Sequence, residues 1–310
     1  YLKLQQPDKA IQLLNKQAVN AEIKDPQLYS LMGSAYLQKG DNNRSQEWLN
    51  KAVELAPDQA GVRTQLALGM LAGGNTDMAI SALESAVDLG QDLIQTDVLL
   101  VMSHLRAGDS KKAIEVSKKL ETKYPDSPLT FYLTGLSYQA DKQYDTADQA
   151  FVKALKIDPN FVIAKLNRAR NQVAAGDFDL AIKLFNAVLE EDPSNTTALL
   201  GLAQLSAQKG DKEQQTYFLQ KIVVIQPDNV IAASQLAELH IGKNEPLKAL
   251  SVLSAITGEQ ANNPVVLRLK GMAEEDIYFA RRDRELIDAL RRRRTSQAQR
   301  CKTATKSKPD

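Results

Sequence analysis

Apolar residues recur along this chain at i, i+3, i+4 and i+7, in stretches of about a dozen residues separated by short polar punctuation. Residues 128–161 show the pattern. Phe131, Thr134, Gly135 and Tyr138 share one helical face, and Ala147, Phe151 and Ala154 share the face of a second helix. The punctuation is periodic. Gly40-Asp41, Gly74-Asn75, Gly108-Asp109, Gly176-Asp177 and Gly210-Asp211 fall on one 34-residue grid, interrupted at Lys142-Gln143 and Asn244-Glu245. Pro57, Pro125, Pro159, Pro193 and Pro227 keep the same interval. A glycine after a helix supplies the left-handed residue that a Cβ would oppose, and the Asp or Asn beside it helps cap the next helix. Proline stops the second helix, because it lacks an N–H and clashes with the preceding turn. The chain therefore predicts a run of helix pairs and an all-α fold.

The unit resembles a tetratricopeptide repeat. In residues 26–59 the matching positions are Tyr29, Met32-Gly33, Tyr36, Gly40, Ser45, Leu49, Ala52 and Pro57. In 60–93 they are Arg63, Leu66-Ala67, Met70, Gly74, Ala79, Leu83 and Ala86, with Gln91 in place of the proline. Further units run 94–127, 128–161, 162–195, 196–229 and 230–263. Residues 1–25 fit the closing half of an earlier unit through Tyr1, Ala10 and Leu14, and 264–276 fit the first helix of a ninth through Leu267 and Gly271. Ser117 at the aromatic site and Gln215 at the first alanine site predict loosely packed units. The resemblance implies a right-handed α-α superhelix over residues 1–276, with a concave face made by the first helices.

Stacked repeats also account for the length. A single core seldom grows past about 250–300 residues, whereas a solenoid lengthens by adding neighbours. Because the chain opens at Tyr1, it is expected to be a piece of something longer. Its 39 basic and 38 acidic side chains are unevenly placed: residues 277–310 hold 11 Lys/Arg against 4 Asp/Glu, leaving an acidic body and a basic tail.

No catalytic constellation is legible. His104 and His240 both occupy the slot held by Tyr36 and Tyr138, where a packing role is expected before a ligand or general base. Two histidines and Cys301 make no metal-ligand set, and no phosphate-binding loop or nucleophile motif occurs. We expect no enzyme, no metal and no cofactor.

The repeat resemblance also implies which residues face the groove. They are Val98, Met102 and Leu105; Leu129, Tyr132 and Leu136; Ile163, Leu166, Arg170 and Val173; then Leu200 and Gln204. An apolar strip on a solvent face suggests a protein or peptide ligand, in helix-in-groove or extended docking. Covering by the same chain is the alternative. Co-chaperone repeats clamp a carboxylate with Lys and Asn, but the matching positions here are Ser30, Ser34, Thr64, Leu68 and Leu99. An asparagine ladder, as in the O-linked N-acetylglucosamine transferase arm, would retain only Asn167. The stretches LAPDQAGVRTQLAL, NPVVLRLKGMAEE and DFDLAIKLFNAVLEEDP are similar to proteins of the bacterial PEP-CTERM/exosortase exopolysaccharide system. That similarity implies an envelope scaffold, periplasmic or outer-membrane-associated; without it the cytoplasm is expected. A regulatory or substrate-presenting arm of a larger enzyme is the other reading.

After Gly271 the grid breaks. Phe279, Leu286, Ile287 and Leu290 share a helical face and predict a cap over the last repeat, followed by a disordered end at 295–310. The arginines Arg281, Arg282, Arg284, Arg291, Arg292, Arg293 and Arg294 could instead meet an anionic partner, and the segment could also be foreign to the repeat protein. Nucleic acid is not expected, and membrane contact only through a missing anchor or this tail.

Overall fold

The computed structural model describes residues 1–20, 24–91 and 93–306, with side chains for all of these except 18–20 and 297–306. The described residues form α-helices and two short 3-10 turns, with no strand among them. The chain divides into two compact units, Tyr1–Asp177 and Phe178–Asp310. The division falls inside the repeat 162–195, between its two helices.

In the first unit, α1 (Pro7–Asn20) is followed by four pairs: α2 (Pro26–Lys39) with α3 (Asn42–Leu55), α4 (Ala60–Ala72) with α5 (Thr76–Asp88), α6 (Ile94–Ala107) with α7 (Ser110–Lys123), and α8 (Pro128–Ala140) with α9 (Tyr144–Ile157). α10 (Val162–Ala175) closes the unit. The sequence grid explains the turns. Gly40 and Gly108 sit at φ 84° and 79°, and where glycine is missing Lys142 takes the same left-handed backbone at φ 61°. A left-handed L-residue costs on the order of 1–2 kcal/mol, so the packing of α9 on α8 must hold Lys142 there. Asp41 and Asp109 cap the helices after them, accepting from the Arg44 and Lys112 backbone N–H groups at 3.1 and 3.2 Å. Gln91, at the grid position of a proline, ties two repeats together: its Oε1 accepts from Ala60 N at 3.0 Å and its Nε2 donates to Asp58 O at 2.6 Å.

Close approach inside a pair needs a small residue opposite a large one. A Cβ on Gly135 would lie 2.5 Å from the Phe151 ring, and Phe151 is wholly buried. In 94–127 the sizes trade places: Val101 stands at the glycine position and Ser117 at the aromatic one, both buried. The looseness expected there is thus only partial. Ser117 is enclosed, while a cleft of about 310 Å³ opens over Leu100, His104 and Val116.

The second unit holds α11 (Phe178–Glu191), α12 (Thr196–Gln208) with α13 (Lys212–Ile225), α14 (Val230–Gly242) with α15 (Pro246–Ser254), and α16 (Pro264–Lys306). α16 runs unbroken through residue 276. It covers the last pair, but through residues other than those expected. Val266, Leu269 and Ala273 are wholly buried in one cluster with Ala233, Ala237, Ala249 and Leu253, whereas Phe279, Leu286, Ile287 and Leu290 are 47–60% exposed. The cap is the first three turns of α16, which hold its wholly buried residues, while Asp276 and Ile277 beyond them are half-buried. α16 extends as far as Lys306; residues 307–310 of the expected disordered end, and the Cys301 side chain, lie outside what is described.

Candidate partner-binding face

The expected strip divides by burial. Positions four apart on a helix share a face, and in the first unit α6, α8 and α10 each contribute such a row. Val98, Leu105, Leu129, Tyr132 and Leu136 are half-buried against the core of Val101, Ala113, Leu120 and Leu133. Leu166 is buried. Val173 is half-buried and Arg170 exposed. Met102 and Ile163 remain 45% and 54% exposed. In the second unit Leu200 packs against the cluster around Leu199 and Leu219, and Gln204 is exposed.

Tyr132 is the fixed point of this face. Its ring meets Phe161 edge-on at 5.4 Å and Phe151 at 6.1 Å, and its hydroxyl accepts from Asn167 Nδ2 at 3.2 Å. Burial pushes its phenol above the ordinary value, so the ring stays neutral at physiological pH. Asn167, expected as the remnant of a ladder, instead joins α10 to α8. α10 is also held to α9 from its other side. Arg168 grips Asp148 through two hydrogen bonds of 2.8 and 3.3 Å, Gln172 donates to the same carboxylate at 2.7 Å, and Asn171 donates to Tyr144 O at 2.8 Å. Ile163 and Arg170 are thus presented on a helix braced from two directions. Nothing in the repeat grid announced the Asp148 cluster, since its members sit at positions that vary between repeats.

The histidines take the packing role. His104 is buried, 4.0 Å from Glu84, and desolvation lowers its pKa, leaving the imidazole neutral near pH 7. His240 is buried with Nδ1 2.8 Å from Glu245 Oε2. Among the described residues no three His, Cys, Asp or Glu side chains converge as metal ligands, and no helix is long and apolar enough to cross a membrane. A feature absent from the sequence reading is a cleft of about 540 Å³ between the start of α15 and α16, lined by Pro246, Leu247, Ile277, Ala280, Arg281 and Arg284.

Sequence models of the tetratricopeptide repeat match residues 26–59, 97–127, 130–161 and 166–230. The chain is a tetratricopeptide repeat protein. Solved structures share the fold. A tetratricopeptide repeat protein from Parabacteroides merdae superposes with a TM-score of 0.61 at 19% identity, over 80% of this chain and 98% of that one. Pseudomonas aeruginosa pilF gives 0.52 at 19%, over 69% and 97%. The Cut9–Hcn1 hetero-tetramer of the APC/C gives 0.57 at 18%, over 76% of this chain but only 46% of that longer one. No curated protein matches. The fold class is therefore the all-α tetratricopeptide solenoid, a fold that typically serves as a non-catalytic scaffold and generally mediates protein–protein interaction.

Proposed function

We propose that this tetratricopeptide protein recruits another protein by docking a peptide or helix across the first-helix face of its first unit. The observation that carries the reading is the exposure of Met102 on α6 and Ile163 on α10, the first helices that flank α8 with its Tyr132–Asn167 bridge. Two apolar side chains stand in solvent on a surface whose neighbours are already ordered, so a ligand would bury them at little further entropic cost. Arg170 offers a charged anchor about two turns along α10 from Ile163. A chain of the Cut9–Hcn1 hetero-tetramer has the same fold, which supports a partner-binding role. The similarity of three stretches to exosortase-system proteins supports a bacterial envelope or exopolysaccharide-assembly setting for the partner. No catalytic step is assigned to the chain.

The test is affinity capture from the source lysate with the full chain and with Met102→Glu/Ile163→Glu, after circular dichroism confirms equal helicity. A Tyr217→Glu variant, altered at an exposed side chain of the second unit, serves as control. A partner reduced at least about tenfold, which is 1.4 kcal/mol, by the double variant and kept by the control supports the reading. Equal recovery from all three chains overturns it.

A further inference from the structure

The cleft of about 310 Å³ over Leu100, His104 and Val116 lies between α5 and α7. His104 is about 200° around α6 from Met102, so this cleft is separate from the face proposed above. In other repeats the slot of His104 carries Tyr36, Tyr138 or His240. His240 is satisfied within the chain, with Nδ1 2.8 Å from Glu245 Oε2. The counterpart of Glu245 is Asp109, one methylene shorter, and it turns to α7. One of its oxygens accepts from the Lys112 backbone N–H at 3.2 Å, and the other stands 3.8 Å from Lys112 Nζ. The His104 side chain is only 2% exposed, yet among the described residues its ring has no hydrogen bond. Its Nε2 stands 4.0 Å from Glu84 Oε1, too far for a direct one. A buried polar group in that condition points to a missing partner.

The charges around the cleft name the partner's chemistry. Its bases already have acids: Lys123 pairs with Asp97 at 2.9 Å, Lys119 with Glu115 at 2.8 Å and Lys112 with Asp109. The carboxylates of Glu84 and Asp88, both on α5, line the same cleft, and neither forms an ion pair with a Lys or Arg among the described residues. Burial is the largest influence on His104 and lowers its pKa; Lys112 acts with it, against Asp109, Glu84 and Glu115. The ring is therefore neutral near pH 7, and one of its nitrogens is an acceptor. We propose that this cleft binds a small molecule with a primary ammonium group on an apolar body. The ammonium bridges His104 Nε2 and Glu84 Oε1, donating to each at about 2.8–3.0 Å. The apolar body lies against Val87, Leu100 and Val116. The volume is near the lower end for ligand pockets and suits a single ring or a short chain. Glu84 and Asp88 repel an anionic ligand of the same shape.

Only two histidines occur in the chain, so their ring signals in nuclear magnetic resonance report on the site directly, with His104→Phe assigning them. The full chain is titrated near neutral pH with phenethylammonium to about 10 mM, and in parallel with phenethyl alcohol and hydrocinnamate. Phenethylammonium is expected to shift the His104 signals saturably while leaving those of His240 in place. The neutral and anionic probes are expected to bind at least tenfold more weakly. Glu84→Gln removes one of the two acceptors at an exposed side chain and is expected to weaken phenethylammonium at least tenfold. Glu54→Gln, the same loss of charge at an exposed position of α3, is expected to leave binding unchanged. Three outcomes each overturn the proposal: no shift at His104 with phenethylammonium, equal binding of the three probes, or equal weakening by the two variants.

Discussion

Residues 128–161 and the stretch from 264 begin with the same kind of helix and end differently. Gly135 and Gly271 occupy the same repeat position. At Gly135 the Phe151 ring fills the space where a Cβ would be; at Gly271 nothing stands within 4 Å of that point. The turn decides between the two outcomes. At 140–143 the chain reads Ala-Asp-Lys-Gln, and Lys142 adopts the left-handed backbone because α9 brings Ala147, Phe151 and Ala154 back onto α8. At the corresponding grid point in α16 stands Tyr278, and the first small-residue site of the would-be second helix is Asp283. Without a seam to bury, no packing energy offsets a left-handed turn, and the helix continues. A strong second helix can impose the turn without glycine, while a weak one cannot.

The comparison breaks most sharply at Phe151. Phe151→Ala is expected to destabilise by about 3–5 kcal/mol in chemical denaturation followed by circular dichroism. Ile287→Ala, at the same repeat position of α16, should leave the unfolding of the repeats nearly unchanged. The two glycines come next. Gly135→Ala should cost about 1–3 kcal/mol by overpacking, whereas Gly271→Ala should gain about 0.5–1 kcal/mol as an ordinary helix substitution. Equal effects at the two sites would mean that the space at Gly271 is filled. Lys142→Gly should stabilise by about 1 kcal/mol by relieving the left-handed residue, and a loss would show that the Lys142 side chain supports the turn.

The smallest effect concerns the eleventh repeat position, buried as His104 and Tyr138 but exposed as Glu274 in α16. Burial lowers the His104 pKa below its ordinary value of 6.5. As pH falls through that value the unfolded chain takes up the proton first, so stability declines until the folded value is passed. His104→Phe should remove that part of the slope between pH 7 and 5, read as the difference between the two denaturation curves.

Helix pairs, turns and the small-large seams were legible in the sequence because each recurs at a fixed interval. The left-handed backbone at Lys142 follows from the interval even without glycine. What the interval could not carry was anything specific to one repeat: the grip of Arg168 and Gln172 on Asp148, the Val101–Ser117 exchange of sizes, and the burial of Leu166 among residues assigned to a groove. The tail misled for a related reason. Phe279, Leu286, Ile287 and Leu290 form an apolar face as expected, but a face says nothing about whether α14 and α15 extend far enough to meet it.

The pairing of neighbours also bears on how the chain is made. Within each unit a helix finds its main partner in the next one along, so a pair can close as soon as its second helix has left the ribosome. At synthesis rates of about 5–20 residues per second, one repeat is completed every few seconds. Assembly can then keep pace with translation, without waiting for distant segments. α16 is the exception. Its first three turns close back on α14 and α15, which are already made, while its turns from 285 to 296 stay exposed.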